Sequence, residues 1–506
     1  VFRFHPLRRL LGPSVVLLLL SLVSAAAASP LFELVGDTLS DGGFNARVRG
    51  ASSASSYFNP ALLPQAKQGL ELGWFVLNDA LSISLDGRNP AVDIPTSAID
   101  RFGTDNPSVP TTWLEHGCTP ATGRCVQELP AHPRQGEGSS GQVRGYQELG
   151  IVNHIWPNYL SIGMYAMVPL RSFTQAHAYF VDEREQFFTN SLHPEMYSDR
   201  LTPVSLAFGA GSKPLDWLSL GISFTLSLGN TANASTYVGN SAKLDETLLL
   251  STKVDVSASV SPHGGILIEP IDSLDIAFTV HSPQKMVIDT SFGTYLPNGD
   301  LQWARRPATH SYQPWIVGLA LAYDLTKAWS LAGTLTFERW SQYIDRQSER
   351  PLKYYEWSDI FSESIGVRYQ TARWKTSLDA VYHPSPVPLQ TGRSNYVDNN
   401  RLGATASVSY DWPIPKWDVV FRFGARGQAQ LLQRRYQTKL DPTAPAYASQ
   451  HLPQLVNDEW PDDAKDISTG EVIAKAKGLQ TNNPGWPGFA SQGFLLGGSL
   501  SLSLLY

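Results

Sequence analysis

Few residues in the chain are suited to chemistry. His383-Pro384-Ser385 and Gly392-Arg393-Ser394-Asn395 each place a hydroxyl near an imidazole or a cation. A serine nucleophile needs a base within hydrogen-bond reach and a third group that orients the base. Neither run supplies all three. The 2 cysteines, Cys118 and Cys125, stand in Gly117-Cys118-Thr119-Pro120-Ala121-Thr122-Gly123-Arg124-Cys125. In an oxidising compartment this spacing closes a small loop disulfide. A metal centre would have to recruit His116 and further ligands. The sequence contains no phosphate-cradling glycine loop, Cys-x-x-Cys or His-Glu-x-x-His, the usual carriers of nucleotide, redox or zinc chemistry. No catalytic residue, cofactor or metal is therefore expected. Three arginines in strand-like runs, Arg368, Arg422 and Arg426, could pair a ligand carboxylate from an interior face. A neutral hydrocarbon would need no such group.

The elements that would position these residues are constrained by composition. The chain has 506 residues, net charge −6, 17% charged residues and 11% aromatics. It lacks the basic footprint of a nucleic-acid binder. Arg3, Arg8 and Arg9, then the apolar run Val15 to Val23, then Ala25 to Ala28, predict a signal peptide over 1–28 cleaved after Ala28. The apolar run falls short of the roughly 20 residues a spanning helix needs. An exported chain without a helical span is either soluble or a β-barrel.

Alternation favours the barrel. Leu218, Leu220, Ile222, Phe224, Leu226 and Leu228 share one face, and Ser219, Gly221, Ser223, Thr225 and Ser227 the other. Phe494, Leu496, Leu500, Leu502, Leu504 and Tyr506 repeat the pattern opposite Ser499, Ser501 and Ser503, and Leu274, Ile276, Phe278 and Val280 give a third case. Period two marks a strand with unlike faces. A soluble sheet would show Lys and Glu to water, whereas Ser, Thr and Gly suit a crowded lumen. Aromatics cluster where strands meet turns, at Trp156, Tyr159, Trp217, Tyr323, Trp329, Trp374, Trp412 and Trp417, as in an interfacial girdle.

Strands are predicted over 68–86, 145–156, 159–170, 201–211, 215–229, 246–262, 271–291, 311–325, 328–343, 359–371, 373–384, 400–411, 416–435 and 489–506. This is an even number, as a single-chain bacterial barrel requires. Short connections at Pro157-Asn158, Ser212-Lys213-Pro214, Pro262 to Pro270, Thr326-Lys327, Ala372 and Pro413-Ile414-Pro415 alternate with long ones at 87–144, 171–200, 230–245, 292–310, 344–358, 385–399 and 436–488. Short turns on one side and long loops on the other are the outer-membrane asymmetry.

Residues 29–67 precede the first strand and are too poor in apolar residues to fold alone. Their run Gly50-Ala51-Ser52 to Ser56-Tyr57-Phe58-Asn59-Pro60-Ala61-Leu62 resembles the hatch signature of FadL-type transporters of long-chain fatty acids and other hydrophobic compounds. In the same order, Leu274 to Pro283 resembles that family's strand ending in Ser-Pro, and Pro314 to Tyr323 with Trp329 to Ser341 its central hairpin. Ser385-Pro386-Val387-Pro388 with Asp398 to Gly403 resembles its late strand-loop-strand. The long loops 87–144 and 436–488 depart from the pattern.

The resemblance implies an all-β fold, a 14-stranded antiparallel transmembrane barrel over 68–506, with an N-terminal hatch over 29–67 plugging the lumen. It implies diffusion-driven uptake of a hydrophobic small molecule across the bacterial outer membrane. The ligand would land in an extracellular apolar groove, the hatch would shift, and release would be sideways through a gap at a kinked third strand. Asn59, Pro60 and Ala61 would fix the hatch turn, since Asn-Pro initiates turns, and Phe32 would be an apolar latch. Pro169 is the candidate kink, because proline removes a ladder donor. The aromatic run from Phe173 to Tyr197, with Phe173, Phe180, Phe187 and Phe188, is the candidate groove. The expected surroundings are outer-membrane lipid and lipopolysaccharide. The barrel assembly machinery would read terminal Tyr506, and the chain is expected to be a monomer. A hydrophilic pore would lack a plug. A surface receptor or adhesin would depend on the long loops.

Overall fold

The computed structural model describes residues 31–85, 138–139, 142–157, 159–171, 192–201, 204–237, 248–295, 301–345, 348, 350, 356–388, 395–438 and 488–506. They form a closed 14-stranded antiparallel β-barrel. Its strands are β1 (Gly69–Leu85), β2 (Gln142–Trp156), β3 (Leu160–Pro169), β4 (Ser205–Leu215), β5 (Leu218–Tyr237), β6 (Leu248–Ile271) and β7 (Leu274–His281, continued by Gln284–Tyr295). There follow β8 (Leu301–Gln313, continued by Ile316–Asp324), β9 (Trp329–Glu338), β10 (Ile360–Gln370), β11 (Trp374–His383), β12 (Arg401–Ile414), β13 (Val419–Thr438) and β14 (Gly488–Leu505). Each pairs with its sequence neighbour, and β1 closes the ring on β14 from Gly69↔Leu505 to Leu85↔Phe489.

The alternation read from the sequence sets the two faces. In β5, Ile222 is 73% exposed and Ser223 6%. In β8, Val317, Leu319, Leu321 and Tyr323 point outward while Ile316, Ala320 and Ala322 are buried. Large apolar side chains outside and small or polar ones inside invert the soluble rule, and this is the lipid-facing belt of a membrane barrel. All eight girdle aromatics are exposed, and all sit by the short connections at one end.

Prolines cause the main departures from the predicted boundaries. β4 runs through Ser212–Pro214, with a register shift between Ser212 and Leu215. β6 runs past Pro262 and Pro270 to Ile271, with a shift between Ile268 and Ile271. The turns are therefore shorter than expected. A bulge tolerates a residue without an N–H, and the Pro262 carbonyl still accepts from Ser282 N at 3.1 Å. The 292–310 connection is mostly strand, in β7 and β8. Ser282-Pro283 and Pro314 divide those two strands. Beyond Pro283, β7 leaves β6 and pairs in parallel with β5, from Ile288↔Asn230 to Tyr295↔Tyr237.

Candidate functional site

The segment before β1 lies inside the barrel. It comprises α1 (Leu31–Val35), α2 (Ser55–Phe58) and a 3-10 helix over Pro60–Gln65. Gly36, Gly43 and Gly50 turn the chain with positive φ, where an L side chain is strained. Asn59 makes the last turn. Its Oδ1 accepts from Ala61 N at 3.1 Å, its Nδ2 donates to Arg47 O at 2.7 Å, and Pro60 occupies the first helical position, which its fixed φ favours.

Polar side chains from the wall hold this segment around its circumference. On one side, Glu148 of β2 accepts from Thr38 Oγ1 and from Tyr165 OH at 3.0 Å, and Glu71 of β1 accepts from Ser53. On the other, Asp379 of β11 accepts from Asn45 Nδ2 at 2.9 Å and Phe44 N at 3.2 Å. Arg47 donates to Glu33 Oε1 at 2.7 Å, and Tyr57 OH donates to the same oxygen at 2.9 Å. Around them stand His263 of β6 and His281 of β7, with ring centroids 4.4 Å apart, and Gln313 of β8 donates to Tyr57 OH at 2.5 Å.

The three arginines singled out from the sequence face inward and are already engaged. Arg368 binds Asp41, through its main-chain oxygen and an ion pair at 3.4 Å. Arg422 forms a bidentate pair with Asp411 at 2.6 and 2.9 Å. Arg426 donates to Thr405 Oγ1 at 2.6 Å, Asp37 O at 2.6 Å and Val35 O at 2.7 Å. Two of the three thus fasten the luminal segment. Burial would push the Asp41 carboxyl up. Arg368, Lys375 and Arg422 outweigh it and hold the carboxyl at about 2. Burial raises Asp37, and the hydrogen bonds from Ser40 and Leu39 offset this only in part.

The turn rests on a seat of glycines. Gly211, Gly221 and Gly265 are direct cross-strand partners in one inward row over β4, β5 and β6. A Cβ on any of them would run into Pro60, and on Gly265 also into Asn59 Oδ1. In the neighbouring inward row, a Cβ on Gly209 would lie 3.0 Å from Ser56 Cα. The wall has given up its side chains where the segment presses on it.

Phe32 packs on Tyr57 and on Tyr165 of β3, with centroids at 4.7 and 4.8 Å. The apolar core continues from here toward the long connections. There Trp357 stacks on Tyr343 at 3.8 Å and packs on Trp340 at 5.2 Å and Tyr396 at 5.3 Å. Leu192-His193 pairs with Asn395-Tyr396, joining two of these connections. Beside α1, a cavity of about 40 Å³ touches Glu33, Arg47, Glu338 and His383. It is far below the roughly 300 Å³ of a small-molecule pocket.

No family model and no curated protein matches the sequence. Among solved structures, a Pseudomonas aeruginosa FadL homologue aligns with 96% of this chain and 98% of its own, at TM-score 0.51 and 12% identity. The chain has the FadL-type fold. The Pseudomonas putida toluene transporter TodX aligns over 96% and 99% of the two chains, at TM-score 0.46 and 10% identity. The Ralstonia pickettii toluene transporter TbuX aligns over 96% and 99%, at TM-score 0.40 and 11% identity.

In this FadL-type barrel Pro169 is the last residue of β3, opposite Tyr146, and Leu170 N still donates to Gly145 O at 2.8 Å. On its other side, β3 pairs with β4 from Ser161↔Gly211 to Met167↔Ser205. His383 Nε2 lies 3.0 Å from Glu338 Oε1, and Ser385 Oγ accepts from Arg435 at 2.6 Å. The imidazole and the hydroxyl thus have separate partners. Tyr506 N donates to Gln68 O at 2.9 Å across the barrel seam. The predicted signal peptide, Cys118, Cys125, Phe173, Phe180, Phe187, Phe188 and Ser394 lie outside the described residues. Sequence reasoning missed the glycine seat and the Glu33–Arg47–Tyr57 cluster with its two histidines. The visible signal was glycine at alternate positions, as at Gly209 and Gly211, in otherwise good strands.

Proposed function

We propose that the chain is an outer-membrane channel for passive uptake of hydrophobic compounds, with residues 29–67 acting as a hatch. The observation that carries this reading is the occupied lumen. An apolar core from Leu31 and Phe32 to Trp357 fills the space that a water-filled pore would leave open. The FadL-type fold and the named toluene transporters support the same class of cargo. Long-chain fatty acids and monoaromatic hydrocarbons are the two candidate substrates. Cargo enters among the long connections, Phe32 and α1 move aside, and release is lateral near β3, which ends at Pro169. The chain works as a monomer in the outer membrane after export, surrounded by lipid and lipopolysaccharide, and Tyr506 serves barrel assembly.

The test is uptake of labelled oleate and labelled toluene by cells expressing the intact chain and a version lacking Ser29 to Pro64. Entry of either compound through the intact chain supports the reading and names the substrate class. Equal entry with and without the chain refutes it.

A further inference from the structure

The wall carries a groove on its outer face, across β3 to β7 near the short turns. Its origin is in the register. Ile162, Ala210, Ile222, Gly264 and Val280 form one outward row across five strands. Large and small residues alternate along this row, so Ile222 stands as a ridge between two gaps. In the next outward row, Ser212 pairs with Leu220 and Ile266 with Phe278. Ala210, Ser212 and Gly264 therefore make the floor of an open groove with apolar walls, about 580 Å³ in volume. A Cβ on Gly264 would meet nothing nearer than Gly221 O at 4.0 Å. On β8 and β9 both rows are filled, the first by Val317 paired with Phe337 and the second by Leu319 paired with Leu335.

The groove opens onto the lipid belt, close to the girdle residues Tyr159 and Trp217. In that setting apolar character selects nothing, because lipid tails are as apolar as leucine. Shape selects. An unfilled groove forfeits dispersion contacts along its lining, and its volume lies in the range that holds one small ligand. A flexible chain already in the membrane can enter sideways. Lumenal cargo has no such path, because Gly211, Gly221 and Gly265 are paired without a break between groove and lumen. We propose that this groove holds one acyl chain of a membrane phospholipid, from the leaflet nearest the short turns.

The test uses the full barrel in phosphatidylethanolamine–phosphatidylglycerol vesicles, with a phosphatidylethanolamine carrying a diazirine in its acyl chain. Labelled residues are mapped by peptide mass spectrometry. Labelling at Leu220, Ile222 and Ile266 should exceed that at Leu331, Leu335 and Leu378 by about tenfold, the mark of a preferred site. Ala210→Leu with Gly264→Leu, which fills the floor without touching the luminal segment, should bring it down to the level of the other wall. Ile222→Ala, which lowers the ridge and adds no bulk, should reduce it as well and does not depend on the filled variant folding. Even labelling around the barrel overturns the proposal, as does groove labelling unchanged in both variants. Displacement of the label by excess toluene, which has no acyl chain, would also overturn it, assigning the groove to cargo.

Discussion

Gly221 of the barrel wall and Pro60 of the luminal segment face each other so closely that a Cβ on the glycine would overlap the Pro60 backbone. The turn beside the Asn-Pro-Ala run is thus seated on bare main chain, and the seat cannot take even a methyl group without movement.

Gly221→Ala should therefore displace the luminal segment. Overpacking costs of about 1–3 kcal/mol are expected at such a site. The readout is single-channel conductance in planar bilayers, which should rise in the variant. Gly264→Ala, only one row away but facing lipid, should leave conductance at the parental level.

Arg426→Met should loosen α1. The change leaves Val35 O and Asp37 O without their donors, at roughly 3 kcal/mol for the buried carbonyls. Hydrogen exchange over 31–43 should accelerate by about a hundredfold. Arg426→Lys should not restore protection, since an ammonium lacks the planar fork that reaches three acceptors at once.

Arg368, Arg422 and Arg426 should not discriminate between ligands. They are engaged with Asp41, Asp411 and the luminal main chain. Neutralising each should change oleate and toluene uptake in parallel. A selective loss of oleate uptake would mean that one of them meets the carboxylate.

The pH dependence follows from Asp41, whose carboxyl falls from 3.8 to about 2 in the folded chain. A depressed carboxylate contributes stability that is complete above its unfolded value and disappears as pH falls through the folded one. The window is pH 4 to 2, and the contribution is about 2 kcal/mol. Exchange over 38–50 should rise through that window in the parent, and Asp41→Asn should flatten the profile.

Much of the barrel was legible in the sequence because the lipid belt forces period two on every strand. Ile222 beside Ser223 shows how strong that signal is. Boundaries failed where proline was taken as punctuation, since Pro214 and Pro270 sit by register shifts inside strands. The luminal contacts were not legible. Arg426 and Val35 are joined by folding, not by spacing, and alternation tells which way Gly265 faces without telling that Asn59 rests on it.

Residues 31–66 should close this barrel to water. Ion and sugar permeation through purified protein in liposomes tests it most directly, with the intact chain beside one lacking Ser29 to Pro64. The intact barrel should be tight and the truncated one leaky. An intact barrel that passes sugars as freely as the truncated form would contradict it.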